Sequence, residues 1–187
     1  MISSIWWNLT RASANVAWVL VLATILWGVL LTTRVMRGLD RPAWLLDLHR
    51  WMGGLSILFT LVHMLSLIAD TYVEFTPLTI LVPFTSDYRS WEVSLGVFGF
   101  WLLVVIQGTS FMKKHLSQKV WRGIHMTSYP LYAIIVVHAL TAGSDVGTPL
   151  YAGFSTALAM TGTAVAGTRW VVGRSTSRRS RQDIVAS

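Results

Sequence analysis

The chain has 187 residues, of which 53% are hydrophobic and only 12% are charged, and its mean hydropathy is +0.57. A soluble domain carries roughly 25% charged residues, so this composition disfavours a soluble globular enzyme and a disordered chain alike. There is no cysteine, which excludes disulfides, thiolate nucleophiles, iron–sulfur clusters and attachment of a cofactor through a C-x-x-C-H motif. The net charge is +7, and the positions of the basic residues along the chain indicate which partner this charge suits.

The apolar residues form five blocks of about 18 to 25 residues, the length that crosses a hydrocarbon core of roughly 30 Å. In chain order the predicted spans are 14–33, 45–69, 93–111, 123–142 and 149–172. We therefore predict an all-α integral membrane bundle of five transmembrane helices. Its membrane domain covers 14–172, between a short extracytoplasmic segment (1–13) and a basic, disordered cytoplasmic tail (173–187).

The basic residues predict the orientation of this bundle. Of the 15, 13 lie between spans one and two, between spans three and four, or from the end of span five onwards. These are Arg34, Arg37, Arg41, Arg50, Lys113, Lys114, Lys119, Arg122, Arg169, Arg174, Arg178, Arg179 and Arg181. The positive-inside rule then puts the N-terminus outside and the C-terminus in the cytoplasm. The charge thus indicates topology and contact with lipid headgroups rather than binding of nucleic acid.

Four of the five histidines lie in two of the predicted spans, where histidine is costly and by default marks a functional site. His49 and His63 are in the second span, and His125 and His138 are in the fourth. The two spans run parallel, so His49 and His125 lie near the cytoplasmic end and the other two toward the outside. Spacings of 14 and 13 residues correspond to rises of roughly 21 and 20 Å along a helix. The sequence therefore predicts two histidine pairs at two depths.

The direction of the side chains is less simple than their depth. At about 100° per residue, a step of 14 returns to within about 40° of the same helix face, whereas a step of 13 misses it by about 140°. Pro130 lies inside the second interval and could kink or rewind that helix. The geometry of the second pair is therefore plausible but depends on this proline.

The spacing favours one kind of ligand over others. Zinc would need a compact tetrahedral cluster, and a proton relay would need acidic residues that these spans lack. Two b-type haems fit better, each ligated by one imidazole from each helix. Gly53, Gly54 and Gly123 would let a flat macrocycle approach, and Arg50 and Arg122 would be partners for the propionates of the inner haem. The alternative is a non-redox structural or transport subunit whose histidines only pack between helices.

The sequence around the four histidines resembles that of a known family, the ferric-reductase-like transmembrane domains. The family includes eukaryotic ferric reductases, NADPH oxidases and the bacterial haem subunit of a periplasmic methionine sulfoxide reductase. The resemblance covers roughly 45–143 and includes the spacing of 14 and then 13 residues. It is carried by Leu48-His49-Arg50-Trp51-Met52-Gly53-Gly54, Val62-His63, Trp121-Arg122-Gly123-Ile124-His125, Tyr129-Pro130 and Val137-His138-Ala139-Leu140.

The resemblance implies a dihaem core in which His49 and His125 ligate the inner haem, and His63 and His138 the outer one. Such a core moves single electrons from a cytoplasmic or membrane donor to an extracytoplasmic acceptor. The chain would be an oxidoreductase component, with any enzymatic activity of its own left open, in the plasma membrane of a bacterium. A quinone-linked cytochrome b subunit of a larger complex is the alternative redox interpretation.

The same resemblance bears on the electron donor. Larger family members carry a cytoplasmic flavin and nicotinamide domain after the last span and usually have six helices. Here no Gly-x-Gly-x-x-Gly follows a predicted strand. We therefore expect a separate flavin-binding or reductase protein as the donor, with any flavin bound on that partner or at the membrane domain.

Two features predict contact with the membrane interface. Several tryptophans, Trp121 among them, lie near predicted span ends and are typical of an interfacial aromatic belt. The connection between the second and third spans is long, and its centre (77–85) is apolar. This segment could lie in the interface or cap the outer haem.

Overall fold

The computed structural model describes the backbone of residues 2–33, 43–143 and 145–185, and the side chains of 5–32, 43–143 and 145–168. Over this part of the chain the secondary structure is entirely helical, which confirms the predicted all-α class. A 3₁₀ turn at Lys113–His115 connects α4 to α5. The helices are α1 (Ile2–Thr33), α2 (Ala43–Ala69), α3 (Pro77–Leu81), α4 (Ser90–Phe111), α5 (Gln118–Met126), α6 (Ser128–Ala142) and α7 (Pro149–Val185).

Four stretches within the described residues are long and apolar enough to cross a membrane, so the protein is an integral membrane protein. They are Ile5–Thr32, Ala43–Ala69, Ser90–Phe111 and Gln118–Ala142. These agree with the first four predicted spans, although α1 already begins at Ile2 and takes in most of the segment predicted to precede the first span.

The fifth predicted span falls within α7 but is not among these four stretches. Its alanine, glycine and threonine residues make it less apolar than the others. α7 also continues as far as Val185, into the segment predicted to be a disordered tail. Five spans, the orientation and the character of the tail therefore stay predictions. Arg34, Arg37 and Arg41, and the side chains of the tail arginines, lie outside the described residues.

The fourth span is not one continuous helix, because α5 ends at Met126 and α6 begins at Ser128. The N–H of Thr127 donates to the carbonyl of Ile124 at 3.0 Å, the tighter pattern of a 3₁₀ turn. Pro130 has no N–H to give to the carbonyl of Met126, so the ladder of α-helical hydrogen bonds is interrupted here. Arithmetic on an ideal helix therefore does not apply between His125 and His138.

The helices pack as two pairs, α1 along α2 and α4 along α6, and α7 packs on α1 and α6. Trp18, Val21 and Leu22 of α1 form a buried cluster with Tyr132 of α6. Small polar side chains occupy other contacts: the hydroxyl of Thr10 in α1 donates to Ser66 Oγ in α2 at 2.8 Å. Such contacts are typical of helix association in membranes. This packing places α2 and the α5–α6 segment, which carry the four histidines, in one bundle.

Candidate functional site

The inner histidines meet although they are 76 positions apart. The rings of His49 in α2 and His125 in α5 have centroids 5.9 Å apart and planes inclined at 61°. Both side chains are half-buried. Nδ1 of His125 lies 3.4 Å from Ser110 Oγ, a long and weak contact. Nδ1 of His49 is buried and has no hydrogen bond of normal geometry, although the backbone of Thr24 is near enough to interact with the ring. This pair is therefore close together but loosely oriented.

An aromatic side chain packs on the inner pair on the side of the 3₁₀ turn at Lys113–His115. The indole of Trp121 stacks on the ring of His125, with centroids 5.0 Å apart and planes at 23°. The ammonium of Lys113 lies 4.1 Å from the centroid of the same indole. Trp121 is half-buried and its Nε1 is buried without a partner. A tryptophan predicted to belong to an interfacial belt therefore packs directly on a candidate ligand.

The outer histidines are held more firmly than the inner pair. His63 Nδ1 lies 3.0 Å from the carbonyl of Thr10 in α1, and His138 Nδ1 lies 2.7 Å from the carbonyl of Glu92 in α4. Because a carbonyl oxygen can only accept, both Nδ1 atoms must carry the proton. The lone pair of each ring is then on Nε2, the tautomer that metal-ligating histidines adopt when a backbone carbonyl orients them.

The outer pair also shares a cavity of about 230 Å³, far larger than the ~10–15 Å³ that one water needs. His63 and His138 both line it. Gly96 and Gly99 of α4 form part of its wall, and Arg11 of α1 lines it while forming an ion pair with Asp145. The cavity is predominantly apolar in its lining. Two oriented imidazoles facing an apolar cavity are suited to holding a flat, hydrophobic ligand at its metal.

Two glycines give the candidate ligands the room they occupy. A Cβ built on Gly96 would lie 2.6 Å from Cε1 of His138, closer than real Cβ atoms approach. A Cβ built on Gly28 in α1 would lie 3.2 Å from Cε1 of His49. The rings of His138 and His49 therefore depend on the missing side chains of residues in neighbouring helices.

The arginines and glycines predicted around the inner pair differ in their exposure and in their contacts. Arg50 is exposed and pairs with Asp47 at 3.0 Å, and Arg122 is exposed. Among the glycines, Gly53 is covered by the amide of Gln107, whose Oε1 would lie 2.7 Å from a Cβ at that position. Gly54 and Gly123 have no atom within 4 Å of such a Cβ. Contact of the two arginines with propionates stays a prediction.

No group of three or more histidine, cysteine, aspartate or glutamate side chains could hold a metal ion within the described part of the chain. The candidate ligands instead come in twos, one from α2 and one from the α5–α6 segment. Two imidazoles on one metal is the arrangement that haem iron accepts, since the porphyrin supplies the other ligands. The donor set therefore fits b-type haem.

A comparison with protein families matches residues 13–136 to the family described as ferric reductase like transmembrane component. This is well over half of the chain. The chain belongs to the ferric-reductase-like transmembrane family. The matched residues contain His49, His63 and His125 and end two positions before His138. Comparisons with curated proteins and with solved structures each find no significant match.

The histidines of this ferric-reductase-like domain could be read from the sequence, but their supports could not. Thr10, Gly28, Glu92 and Gly96 lie on helices other than those of the histidines they contact. Two of them act through a backbone carbonyl, which any residue type supplies. The contact of Trp121 with His125 could have been predicted, because residues at positions i and i+4 share a helix face and Trp121 is four positions before His125.

Proposed function

We propose that this protein transfers single electrons across the membrane through two b-type haems, each ligated by one histidine of α2 and one of the α5–α6 segment. His49 and His125 would hold the inner haem, and His63 and His138 the outer haem. The observation that carries the proposal is that the rings of His49 and His125 meet, and that His63 and His138 line one cavity, in a ferric-reductase-like chain.

The local geometry supports haem as the ligand. If two imidazoles held one metal between them, with each nitrogen about 2 Å from it, their ring centroids would lie roughly 6 Å apart. The inner pair, at 5.9 Å, is close to this distance. In the outer pair, the carbonyls of Thr10 and Glu92 accept from Nδ1 and so fix the orientation of each ring, with Nε2 left as the nitrogen that can bind a metal. When bound, each haem would supply one-electron redox chemistry, with the two histidines of its pair as the ligands that this chain provides.

The exposed basic side chains support an orientation of the bundle in the membrane. Arg50, Lys113, Lys114 and Lys119 lie at the helix ends nearest to the inner pair. By the positive-inside rule this end is cytoplasmic. With α7 as a fifth span, the N-terminus is outside and the C-terminus inside. By analogy with the family, electrons pass in this orientation from the His49–His125 pair toward the His63–His138 pair and the outer face.

The partners follow from this direction. The donor is a separate flavin-binding or reductase protein that approaches the basic end, with its flavin on that partner or against the membrane domain. The acceptor is a redox partner or oxidant on the outer side. The setting that suits such a path is the plasma membrane of a bacterium.

Haem content tests the proposal directly. Protein purified from haem-replete cells should give a b-type spectrum on reduction and about two haems per chain by pyridine haemochrome assay, as the two histidine pairs require. Protein with a normal helical circular dichroism spectrum that binds no haem under these conditions would disprove it.

Trp121 offers a second test, because its stacking should orient the His125 ring. We expect Trp121→Ala to retain the inner haem but to shift its low-spin ferric EPR signal, which depends on the relative orientation of the two imidazole planes. Trp121→Phe should restore the signal because a phenyl ring can also stack on the imidazole. Trp44→Ala, at an exposed tryptophan of α2, is the control. If Trp121→Ala and wild type gave the same signal, Trp121 would have no positioning role.

A further inference from the structure

The connection between α2 and α4, residues 70–89, has two faces that differ in what they contact. Its inward face carries Ile80, only 8% exposed, which packs against Met64 and Phe100. Phe75, Ile80 and Tyr88 of this connection also line the cavity of the outer histidine pair. The connection therefore forms a wall of the outer site.

The outward face of the same connection is apolar and uncovered. Leu78 is 59% exposed and Phe84 is 51% exposed, and Leu81 and Val82 are exposed beside them. Phe84 has a left-handed backbone with φ of 64°, rare for a bulky residue, and its N–H donates to the buried Ser94 Oγ at 2.7 Å. Such a conformation persists only where the surroundings hold it, so the outward placement of this phenyl ring is built into the fold.

This apolar face continues without interruption onto a membrane span. The ring of Phe84 contacts Trp91 and Phe98 of α4, with centroids 4.8 and 6.0 Å apart. The indole of Trp101 donates to the carbonyl of Leu81 at 2.9 Å. Phe98 and Trp101 are themselves exposed on α4, whose outer surface faces lipid because α4 is long and apolar enough to span the membrane.

We propose that residues 77–84 lie in the interfacial layer of the bilayer, with Leu78, Leu81, Val82 and Phe84 in contact with lipid. The continuity with α4 selects lipid as the occupant, and aromatic residues with a satisfied indole N–H are typical of that layer. The acidic side chains of Glu74 and Asp87, both exposed, flank the apolar stretch along the chain. This placement does not depend on which cofactor the histidines bind.

The absence of cysteine makes the test direct, since one introduced cysteine can be spin-labelled in the full chain. The variants are Leu78→Cys and Val82→Cys on the apolar face. Asp87→Cys on the same connection is the water control, and Val105→Cys, at a 47% exposed position within α4, is the lipid control. Each is reconstituted in phosphatidylcholine–phosphatidylglycerol vesicles, and EPR power saturation compares collision with oxygen, which is enriched in lipid, and with a water-soluble nickel chelate.

The labels at 78 and 82 should show an oxygen-to-nickel accessibility ratio several-fold above that of the label at 87 and below that of the label at 105, as an interfacial depth requires. Using two positions guards against a local disturbance by either substitution, and circular dichroism verifies the fold. Ratios equal to that of the label at 87 would overturn the proposal and leave the face free for a protein partner. Labels shielded from both reagents would overturn it as well.

Discussion

Gly96→Ala is expected to lower the haem content from about two to about one per chain, by removing the outer haem. The added Cβ would lie 2.6 Å from Cε1 of His138, so the imidazole must move. Moving it breaks the hydrogen bond from Nδ1 to the carbonyl of Glu92, which lies on the same helix as Gly96. The ring then loses both its position and its orientation. The measurement is the haem-to-protein ratio together with the reduced-minus-oxidised spectrum.

Gly108→Ala is the matched control, because Gly108 lies on the same helix and a Cβ there meets no atom within 4 Å. Both substitutions favour the helix by up to about 1 kcal/mol, so intrinsic propensity cannot distinguish them. The control should keep both haems. Equal haem content in the two variants would show that the contact between Gly96 and His138 does not matter for binding.

This expectation depends on a feature of the bundle that only the folded chain reveals. Helices α4 and α6 approach closely where glycine replaces a side chain, and the space so created is taken by a candidate ligand rather than by another apolar residue. A glycine in a membrane helix commonly permits close packing of backbones. Here the same device sets the position of an imidazole.

The first four spans could be predicted from the sequence because they are continuous apolar blocks. α2 begins at Ala43 and α4 at Ser90, within three positions of the predicted starts. Pro130 indicated where the fourth span would depart from an ideal helix, and the break at Thr127 lies three positions before it. Length, hydropathy and proline act locally, so the chain order alone is enough to read them.

The supports of the histidines could not be predicted, because they come from tertiary contacts across the bundle. Thr10 is 53 positions from His63, and Glu92 is 46 positions from His138. Some backbone carbonyls accept a hydrogen bond from an imidazole, and others accept only from an N–H of their own helix. Nothing in the local sequence distinguishes the two kinds. α7 was ambiguous for another reason: its alanine, glycine and threonine residues suit helix contact as well as a membrane span.

The proposed pairing of the histidines predicts how the losses of haem combine when two histidines are replaced together. Double substitutions therefore test the pairing better than single ones. Each of His49→Ala, His63→Ala, His125→Ala and His138→Ala should lose about one haem per chain, because one remaining imidazole holds the iron weakly. Within a pair the effects should not add: His63→Ala with His138→Ala should lose no more than either alone. Across pairs they should add, and His49→Ala with His63→Ala should leave no haem. Residues that share one ligand are coupled, whereas residues at separate sites are independent.

His115→Ala is the control for this series, since His115 is exposed on the 3₁₀ turn and should not affect haem content. The spectra add a second readout, because the two outer variants should resemble each other and differ from the two inner ones. If His49→Ala combined with His125→Ala removed both haems while every single variant removed one, the pairs would have been assigned wrongly. The additivity pattern therefore tests which helices share each haem, independently of any donor or acceptor.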